Sequence, residues 1–245
     1  MPAISRRTSA ATKLDIVLHE LGSDIINGKL RVGSVMTLQS IGERFNISRT
    51  VAREVMRALE QLGLVASSRR VGITVLDRSH WSVYSDLVIR WRLESETERI
   101  PQLQTLAEMR MAIEPQAARF TAVRANREQK DELLAAADKI ITIGGVWNFR
   151  SDLFIEANYN FHHMLMCFSG NELFRALAPS LLSGVEARIR YGLMMPSLNE
   201  ELLMVHRQLA EAVFHGNGPA AENHCQYILH HTTITAQYPR LPERY

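Results

Sequence analysis

The chain of 245 residues has few cysteines and no long apolar run. Its two cysteines, Cys167 and Cys225, exclude a disulfide framework and are typical of a protein in a reducing compartment. No uninterrupted apolar stretch approaches the ~20 residues that a membrane span needs. The first seven residues lack the apolar core of a secretory signal. These absences predict a soluble, cytoplasmic protein.

Composition and length predict two globular domains with different partners. Hydrophobic residues make up 46% of the chain and charged residues 22%, which is typical of a folded protein. The net charge of +2 hides an asymmetry, because residues 1–78 hold 12 Lys and Arg against 7 Asp and Glu, while the remainder holds 16 against 19. Seven of the nine histidines lie between His162 and His231. A basic first part and a histidine-rich, acidic second part indicate separate functions.

The N-terminal pattern predicts a winged helix-turn-helix domain over residues 13–76, after a flexible arm at 1–12. Helical spacing of apolar residues predicts a helix from residue 13 to 27 that ends at Gly28. A short helix follows at 38–45, and Ser48 is a suitable N-cap for a third helix that runs to about residue 62. Two short strands, 64–66 and 72–75, enclose a basic hairpin.

Arginines of the third helix suggest what this domain binds. Arg49, Arg53 and Arg57 recur every fourth residue. By themselves they are more typical of a solvated helix face, but the order of elements and the basic hairpin reverse that preference in favour of DNA. A helix fits the major groove, and arginine suits both guanine edges and phosphates.

The segment from Glu43 to Leu59, followed by Gly63-Leu64-Val65, resembles the signature of GntR-type regulators. The resemblance implies DNA contacts by the start of the recognition helix and by the wing tip. The matching residues here are Ser48, Arg49, Thr50, Arg53, Arg69 and Arg70. Many members carry a Glu-Arg pair at the start of the short helix, where this chain has Leu38-Gln39. Gln39 is therefore a further candidate DNA contact, and the departure implies a different operator.

The second part of the chain predicts an all-helical bundle at 81–238, after a linker at 77–80 and before a tail at 239–245. The fold class is thus mainly α. Pro115 predicts a kink or break in one helix. The pairs Asn126 with Gln129 and Ser197 with Glu200 have capping-box spacing, and Pro219 suits the first turn of the last helix. The predicted helices lie near 81–94, 100–125, 127–143, 152–169, 172–194, 199–215 and 219–238.

Histidines on three of these helices suggest a divalent-metal site in the bundle core. Asn158 and His162 lie one turn apart, while His206 and His230 lie on later helices. Imidazoles from several helices with an adjacent oxygen ligand suit a divalent ion. For any single histidine, a structural role is the more frequent alternative.

Three segments strengthen this hypothesis because they resemble the FCD sensor domain of the FadR subfamily: Glu108–Ala118, Phe161–Asn171 and Val205–Val213. The resemblance implies a metal site, with zinc as the expected ion and nickel or manganese as alternatives. The matching positions here are Asn158, His162, His206 and His230, with His231 as the neighbour that could replace His230. Many members carry Asp where this chain has Asn158, so the ion would lack a negative protein ligand. The alternative is a site without metal, in which the histidines bind the effector directly.

Arginines are the candidate effector contacts. Arg110 is suited to bind a carboxylate through two hydrogen bonds, although an ion pair with Glu114 one turn later is an equal alternative. Arg188 and Arg190 are further candidates, but only one of them can point inward. The segment from Arg78 to Trp91 resembles the start of the sensor domain in galactonate-operon and related sugar-acid repressors. Its two tryptophans also suit a simpler role as core anchors between the domains.

The sequence therefore predicts a ligand-responsive transcriptional regulator that binds operator DNA as a homodimer. Its expected role is repression of an operon for sugar-acid or other small-carboxylate catabolism, with an aldonic or uronic acid as effector. A metal-responsive regulator with no organic effector is the first alternative. A metallohydrolase is the second, and it has little support because the chain has no Ser-His-Asp order, phosphate loop or evident general base. We therefore expect no enzymatic activity.

Overall fold

A computed structural model describes residues 12–145, 151–191, 193 and 200–232 of the chain. Its contacts divide the chain into two compact units, Met1–Ile100 and Pro101–Tyr245. Ten α-helices and three short strands make up the described part, which confirms the mainly α fold class. Most of the predicted arm at 1–12 and the whole predicted tail at 239–245 lie outside the described residues.

The first unit contains a winged helix-turn-helix. Its three strands are β1 (Val35–Met36), β2 (Val65–Ser68) and β3 (Gly72–Val75). They pair antiparallel in the order β1-β3-β2, with Val35 opposite Thr74 and Val65 opposite Val75. The sequence did not predict β1, because a strand of two residues is too short to show alternation. The elements of the first unit in chain order are α1 (Lys13–Ile26), β1 (Val35–Met36), α2 (Leu38–Phe45), α3 (Arg49–Gln61), β2 (Val65–Ser68), β3 (Gly72–Val75), a 3-10 turn (Arg78–His80) and α4 (Asp86–Glu94).

Side-chain caps fix where the three helices of this domain begin. Thr12 and Thr37 each accept a hydrogen bond from the backbone of the first turn in a capping box. The side chain of Ser48 accepts from the backbone N–H of Val51, as predicted. Gly28 has a φ of +70° after the C-cap of α1, a conformation that glycine adopts without strain.

Helix α4 packs in the first unit, although the sequence assigned residues 81–100 to the second domain. Trp91 is 1% exposed, belongs to the same hydrophobic core as α1 and α3, and donates its indole N–H to Nδ1 of His19 at 3.0 Å. Trp81 packs half-buried against that core. The predicted helix at 81–94 begins only at Asp86, after Ser85 at its N-cap. The tryptophans therefore act as core anchors of the first unit.

The second unit is a bundle of long helices that match the predicted segments closely. Pro115 is buried inside α5 and does not break it. A proline inside a helix removes one backbone hydrogen bond and crowds the carbonyl four residues earlier, yet this helix continues through it. Ser197, the predicted cap of α9, lies outside the described residues. The bounds are α5 (Arg99–Arg124), α6 (Arg127–Gly144), α7 (Asp152–Phe168), α8 (Glu172–Arg190), α9 (Glu200–Phe214) and α10 (Gly218–Thr232).

Side-chain to backbone bonds fasten α5 along α7. The hydroxyl of Thr121 donates to the carbonyl of Leu165 at 2.8 Å, and Arg124 donates to the carbonyl of Ser169 at 2.9 Å. Buried polar groups that are hydrogen-bonded in this way hold the helices in one register. Among the described helices, none is long and apolar enough to cross a membrane.

Close packing of α1 on α4 generates a stability prediction. A Cβ added at Gly22 would lie 2.4 Å from the six-membered ring of Trp91. We expect Gly22→Ala to lower the free energy of unfolding by roughly 1–3 kcal/mol, as overpacking of a core does. Urea denaturation of Gly22→Ala, Trp91→Phe and the double variant measures the effect. The smaller Phe ring should relieve the clash, so the two losses should be less than additive. Full additivity would contradict the contact.

Candidate DNA-binding surface and buried sensor cluster

The start of α3 presents arginines that no carboxylate neutralises. Arg49 and Arg53 are exposed, and neither forms an ion pair with any acidic side chain in the described ranges. Arg57, one turn further on, pairs with Glu54 at 3.1 Å. Thr50 is also exposed, whereas the oxygen of Ser48 is engaged in capping the helix. The first two turns of α3 therefore carry positive charge that is available to an anionic partner.

The wing places a second pair of arginines beside this helix. Arg69 and Arg70 are exposed in the turn between β2 and β3. The wing is fixed to α3 because Glu60 accepts hydrogen bonds from the backbone N–H of Ser67 at 3.0 Å and from its hydroxyl at 2.8 Å. The base of the hairpin is thus rigid while its tip carries the charge.

A groove of about 990 Å³ runs between α2, the start of α3 and the wing. Gln39, Arg49 and Arg69 all line it, so three of the predicted DNA contacts meet on one surface. Gln39 donates to Glu43 at 2.9 Å and retains its amide oxygen for a partner. Arg49 and Arg69 give this surface positive charge, although Glu43 also lines it.

The core of the second unit contains a polar cluster of Arg110, Glu114, His162 and His206, which we call the sensor cluster. Arg110 donates to both carboxylate oxygens of Glu114 one turn later on α5, with Nη2 at 3.2 Å from Oε2. Nδ1 of His162 on α7 lies 2.8 Å from Oε2 of the same carboxylate. The rings of His162 and His206 are 5.9 Å apart. All four side chains are buried: Arg110 is 6% exposed and the other three at most 1%.

Burial and charge determine the protonation of the sensor cluster. Burial alone would raise the pKa of Glu114, but the Arg110 charge and the His162 ring lower it to about 2. Burial lowers the pKa of His162 and, together with nearby positive groups, lowers that of His206 to about 3. At neutral pH the cluster thus has one cation, one anion and two neutral imidazoles.

Two ring nitrogens of the sensor cluster have no hydrogen-bond partner in the described residues: Nδ1 of His162, which approaches Glu114 without hydrogen-bond geometry, and Nε2 of His206. Nδ1 of His206 lies 3.0 Å from the carbonyl of Leu202 and must carry the proton, because a carbonyl oxygen only accepts. Nε2 of His206 is then a lone-pair acceptor, and it is buried without a hydrogen-bond partner in the described residues. A buried acceptor without a donor costs free energy, so such an atom marks a candidate ligand position.

The structure does not assemble the predicted metal site. His162 and His206 lie together as expected, but Asn158 is only half-buried and forms no hydrogen bond to either ring in the described residues, while His230 is exposed. Across the described ranges, no three histidine, cysteine or carboxylate side chains are close enough to hold a metal ion. The physical reason is the register of α10, whose buried face carries Cys225, Ile228 and Leu229. His231 does not replace His230, because it is exposed and stacks on Tyr227.

The predicted effector arginines are divided between the core and the surface. Arg110 pairs with Glu114, as the alternative interpretation expected, yet the pair is buried rather than solvated. Arg188 is buried and donates to the carbonyl of Thr232 at 2.9 Å. Arg190 is exposed and pairs with Glu186 at 2.6 Å, so it does not contribute to the sensor cluster.

Sequence reasoning missed the central role of Glu114. Its spacing from Arg110 was visible, but its approach to His162, 48 residues later, was not. It also missed Cys225, which is buried on α10 and whose pKa rises through burial and the nearby Glu114 charge. A buried carboxylate and thiol give no local signal in the sequence.

Comparison with known families matches both units. Residues 15–75 match the model for bacterial regulatory proteins of the gntR family, and residues 105–231 match the FCD domain. The first match covers the helices and wing, and the second contains the whole sensor cluster. The chain covers most of two regulators from Escherichia coli K12. It is 26% identical to the uncharacterized HTH-type transcriptional regulator YieP, over 94% of this chain and 98% of that one. It is 29% identical to the galactonate operon transcriptional repressor, over 86% and 90%.

Among solved structures, Lar, which controls expression of the Listeria monocytogenes agr system, matches with a TM-score of 0.57 at 15% identity. The alignment covers 93% of this chain and 97% of that one, and it supports the fold.

The ion pair at the centre of the sensor cluster generates a stability prediction. Glu114→Gln leaves a buried guanidinium without its carboxylate, which should cost roughly 3–5 kcal/mol of unfolding free energy. The double variant Arg110→Met, Glu114→Gln should recover much of this loss, because it buries no uncompensated charge. Asp131→Asn is the matched control, since it removes the carboxylate of an exposed one-turn pair with Arg127 and should stay near wild type. Chemical denaturation that finds Glu114→Gln as stable as wild type would contradict the assignment.

Proposed function

Because the chain belongs to the gntR family of bacterial regulatory proteins and carries an FCD domain, we propose that a small carboxylate in the FCD domain controls operator binding by the winged helix. That the chain is a DNA-binding transcriptional regulator, and not an enzyme, follows from its family. The proposal concerns the residues that contact DNA, the effector and the response.

Unpaired arginines on α3 and the wing carry the DNA part of the proposal. Arg49 and Arg53 would enter the major groove at the N-terminal end of the recognition helix, where side chains reach base edges. Arg69, Arg70 and Gln39 would contact phosphates or the adjacent groove. A homodimer would place two such surfaces on a two-fold-related operator.

The sensor cluster supports a small carboxylate as effector. Arg110 is a buried cation inside the matched FCD domain. Of the five N–H donors of the Arg110 guanidinium, only two donate to Glu114. The relative named for the galactonate operon makes a sugar acid the first class to test, and repression the first response. Because the cluster is buried, a ligand reaches it only if packed side chains move, so binding must favour a different arrangement of the helices.

A regulator that senses only a divalent ion is the second candidate. The neutral imidazoles of His162 and His206 favour it, since such rings are common metal ligands. The donor set opposes it, because the described residues supply no third ligand and Arg110 places a positive charge nearby. The cluster thus does not fit zinc, nickel or manganese as the sequence predicted.

Arginine substitutions test the DNA-binding surface. Arg49→Ala and Arg53→Ala should each weaken binding to an operator, selected by the wild type from randomised duplexes, by roughly 1–3 kcal/mol. Arg57→Ala should have less effect, because it removes the same charge from an arginine that already pairs with Glu54. Fluorescence anisotropy measures the three affinities. Near-wild-type binding by both Arg49→Ala and Arg53→Ala would refute the assignment of α3.

The wing is tested by salt dependence. If Arg69 and Arg70 bind phosphates, replacing both with Ala should weaken binding to operator and non-operator duplexes alike. The slope of log K against log salt should also fall in magnitude by about 0.9 for each lost contact. Loss of sequence preference with an unchanged slope would instead place these arginines on base edges.

A further inference from the structure

We propose that Gln39 and Glu43, one turn apart on α2, form a base-reading pair that selects cytosine in the major groove of the operator. Glu43 accepts a hydrogen bond from the amino group of the base, and Gln39 holds the carboxylate in position. The inference rests on the proposed function, since it assumes that the surface formed by α2, the start of α3 and the wing lies on DNA. It adds a determinant of base specificity that does not depend on an arginine.

A hydrogen bond joins the two side chains on the exposed side of α2. The amide of Gln39 donates to Oε1 of Glu43 at 2.9 Å, and both residues are exposed and line the groove. This bond uses one of the two amide N–H groups, so Gln39 retains one donor and the carboxylate of Glu43 retains further acceptor sites. The pair therefore presents a donor beside an acceptor to a molecule that enters the groove.

Glu43 is the acidic member of a groove whose other charged residues are Arg49 and Arg69. Within the described ranges Glu43 forms no ion pair, and its neighbour Arg44 instead contacts Asp24 on α1 at 2.6 Å. A carboxylate that faces a polyanion without a cationic partner lowers the affinity for any DNA. The loss is smallest where a base supplies a hydrogen-bond donor, so such a group raises the ratio of specific to non-specific binding.

The chemistry of the base edges identifies the base. In the major groove guanine and thymine present acceptors, whereas cytosine N4 and adenine N6 present donors. A carboxylate only accepts, so it rejects guanine and thymine. Beside the amino group of adenine lies the lone pair of N7, which repels the second carboxylate oxygen, but beside that of cytosine lies a C–H group. The N–H that Gln39 retains can donate to O6 of the guanine paired with this cytosine.

Profiling of the operator with the full-length protein tests the pair. The wild type selects an operator from randomised duplexes, and every single base-pair substitution of it is then titrated by fluorescence anisotropy at one salt concentration. We expect one position in each half-site at which the wild type binds cytosine about tenfold or more tightly than any other base. Glu43→Gln should remove that preference and leave the preferences at all other positions. It should also tighten binding to non-operator duplexes, because it removes a charge that repels phosphates.

Two further variants separate base reading from a general effect of charge. Gln39→Ala should weaken the cytosine preference at the same position, because the carboxylate is then no longer held in place. Glu54→Gln is the control, since Glu54 carries the same charge on α3 outside the described lining of the groove, and its loss should leave every base preference unchanged. All three side chains are exposed, so we expect each variant to unfold at the temperature of the wild type.

Contrary results separate this inference from the proposed function. A wild-type preference for adenine, guanine or thymine at the position that Glu43→Gln affects would overturn the inference and leave recognition by α3 in place. A Glu43→Gln profile identical to that of the wild type, or an equal loss of affinity for all duplexes, would do the same. If Arg49→Ala and Arg53→Ala also bind the operator as the wild type does, the assumed DNA surface is wrong and the proposed function fails with it.

Discussion

The buried Arg110–Glu114 pair is the constraint around which the second unit is organised. A guanidinium and a carboxylate are costly to remove from water, so each must be satisfied inside the core. Glu114 meets this requirement by facing both Arg110 and Nδ1 of His162, which fastens α5 to α7. His206 then completes the cluster against the ring of His162.

The two units treat positive charge in opposite ways. In the winged helix, Arg44 is used structurally against Asp24 at 2.6 Å, whereas Arg49, Arg53, Arg69 and Arg70 are left exposed without carboxylates in the described residues. In the second unit, Arg110 is buried and its charge is neutralised by Glu114. Exposed, unpaired cations suit a long polyanion that approaches from solvent. A buried, paired cation is shielded from solvent and therefore from such a partner.

Most of the fold could be predicted, because its signals are local. Helical spacing of apolar residues and caps such as Ser48 and Asn126 set the helix bounds to within a few residues. The exceptions are β1, which has only two residues and therefore shows no alternation, and α4, which begins at Asp86 rather than at residue 81. The place of α4 in the first unit depends on the contact of Trp91 with His19 and with the backbone at Gly22, which no helical period encodes.

The candidate functional residues also fall into those that a local sequence pattern predicts and those that only the packing of distant helices brings together. The sequence by itself predicted the class of regulator, identified the arginines of α3 and the wing as candidate DNA contacts, and offered the pairing of Arg110 with Glu114 as one of two equal alternatives. Each of these is a short motif or a one-turn spacing. Only the tertiary structure decided that His162 and His206 meet, that Glu114 lies against His162, and that the register of α10 turns Cys225 inward and His230 outward. The physical reason is that the composition of a buried cluster depends on which faces of distant helices pack together. Which faces pack together depends on the apolar area that whole helices bury. A histidine one or two positions away from the buried face of its helix therefore points to solvent rather than into the cluster.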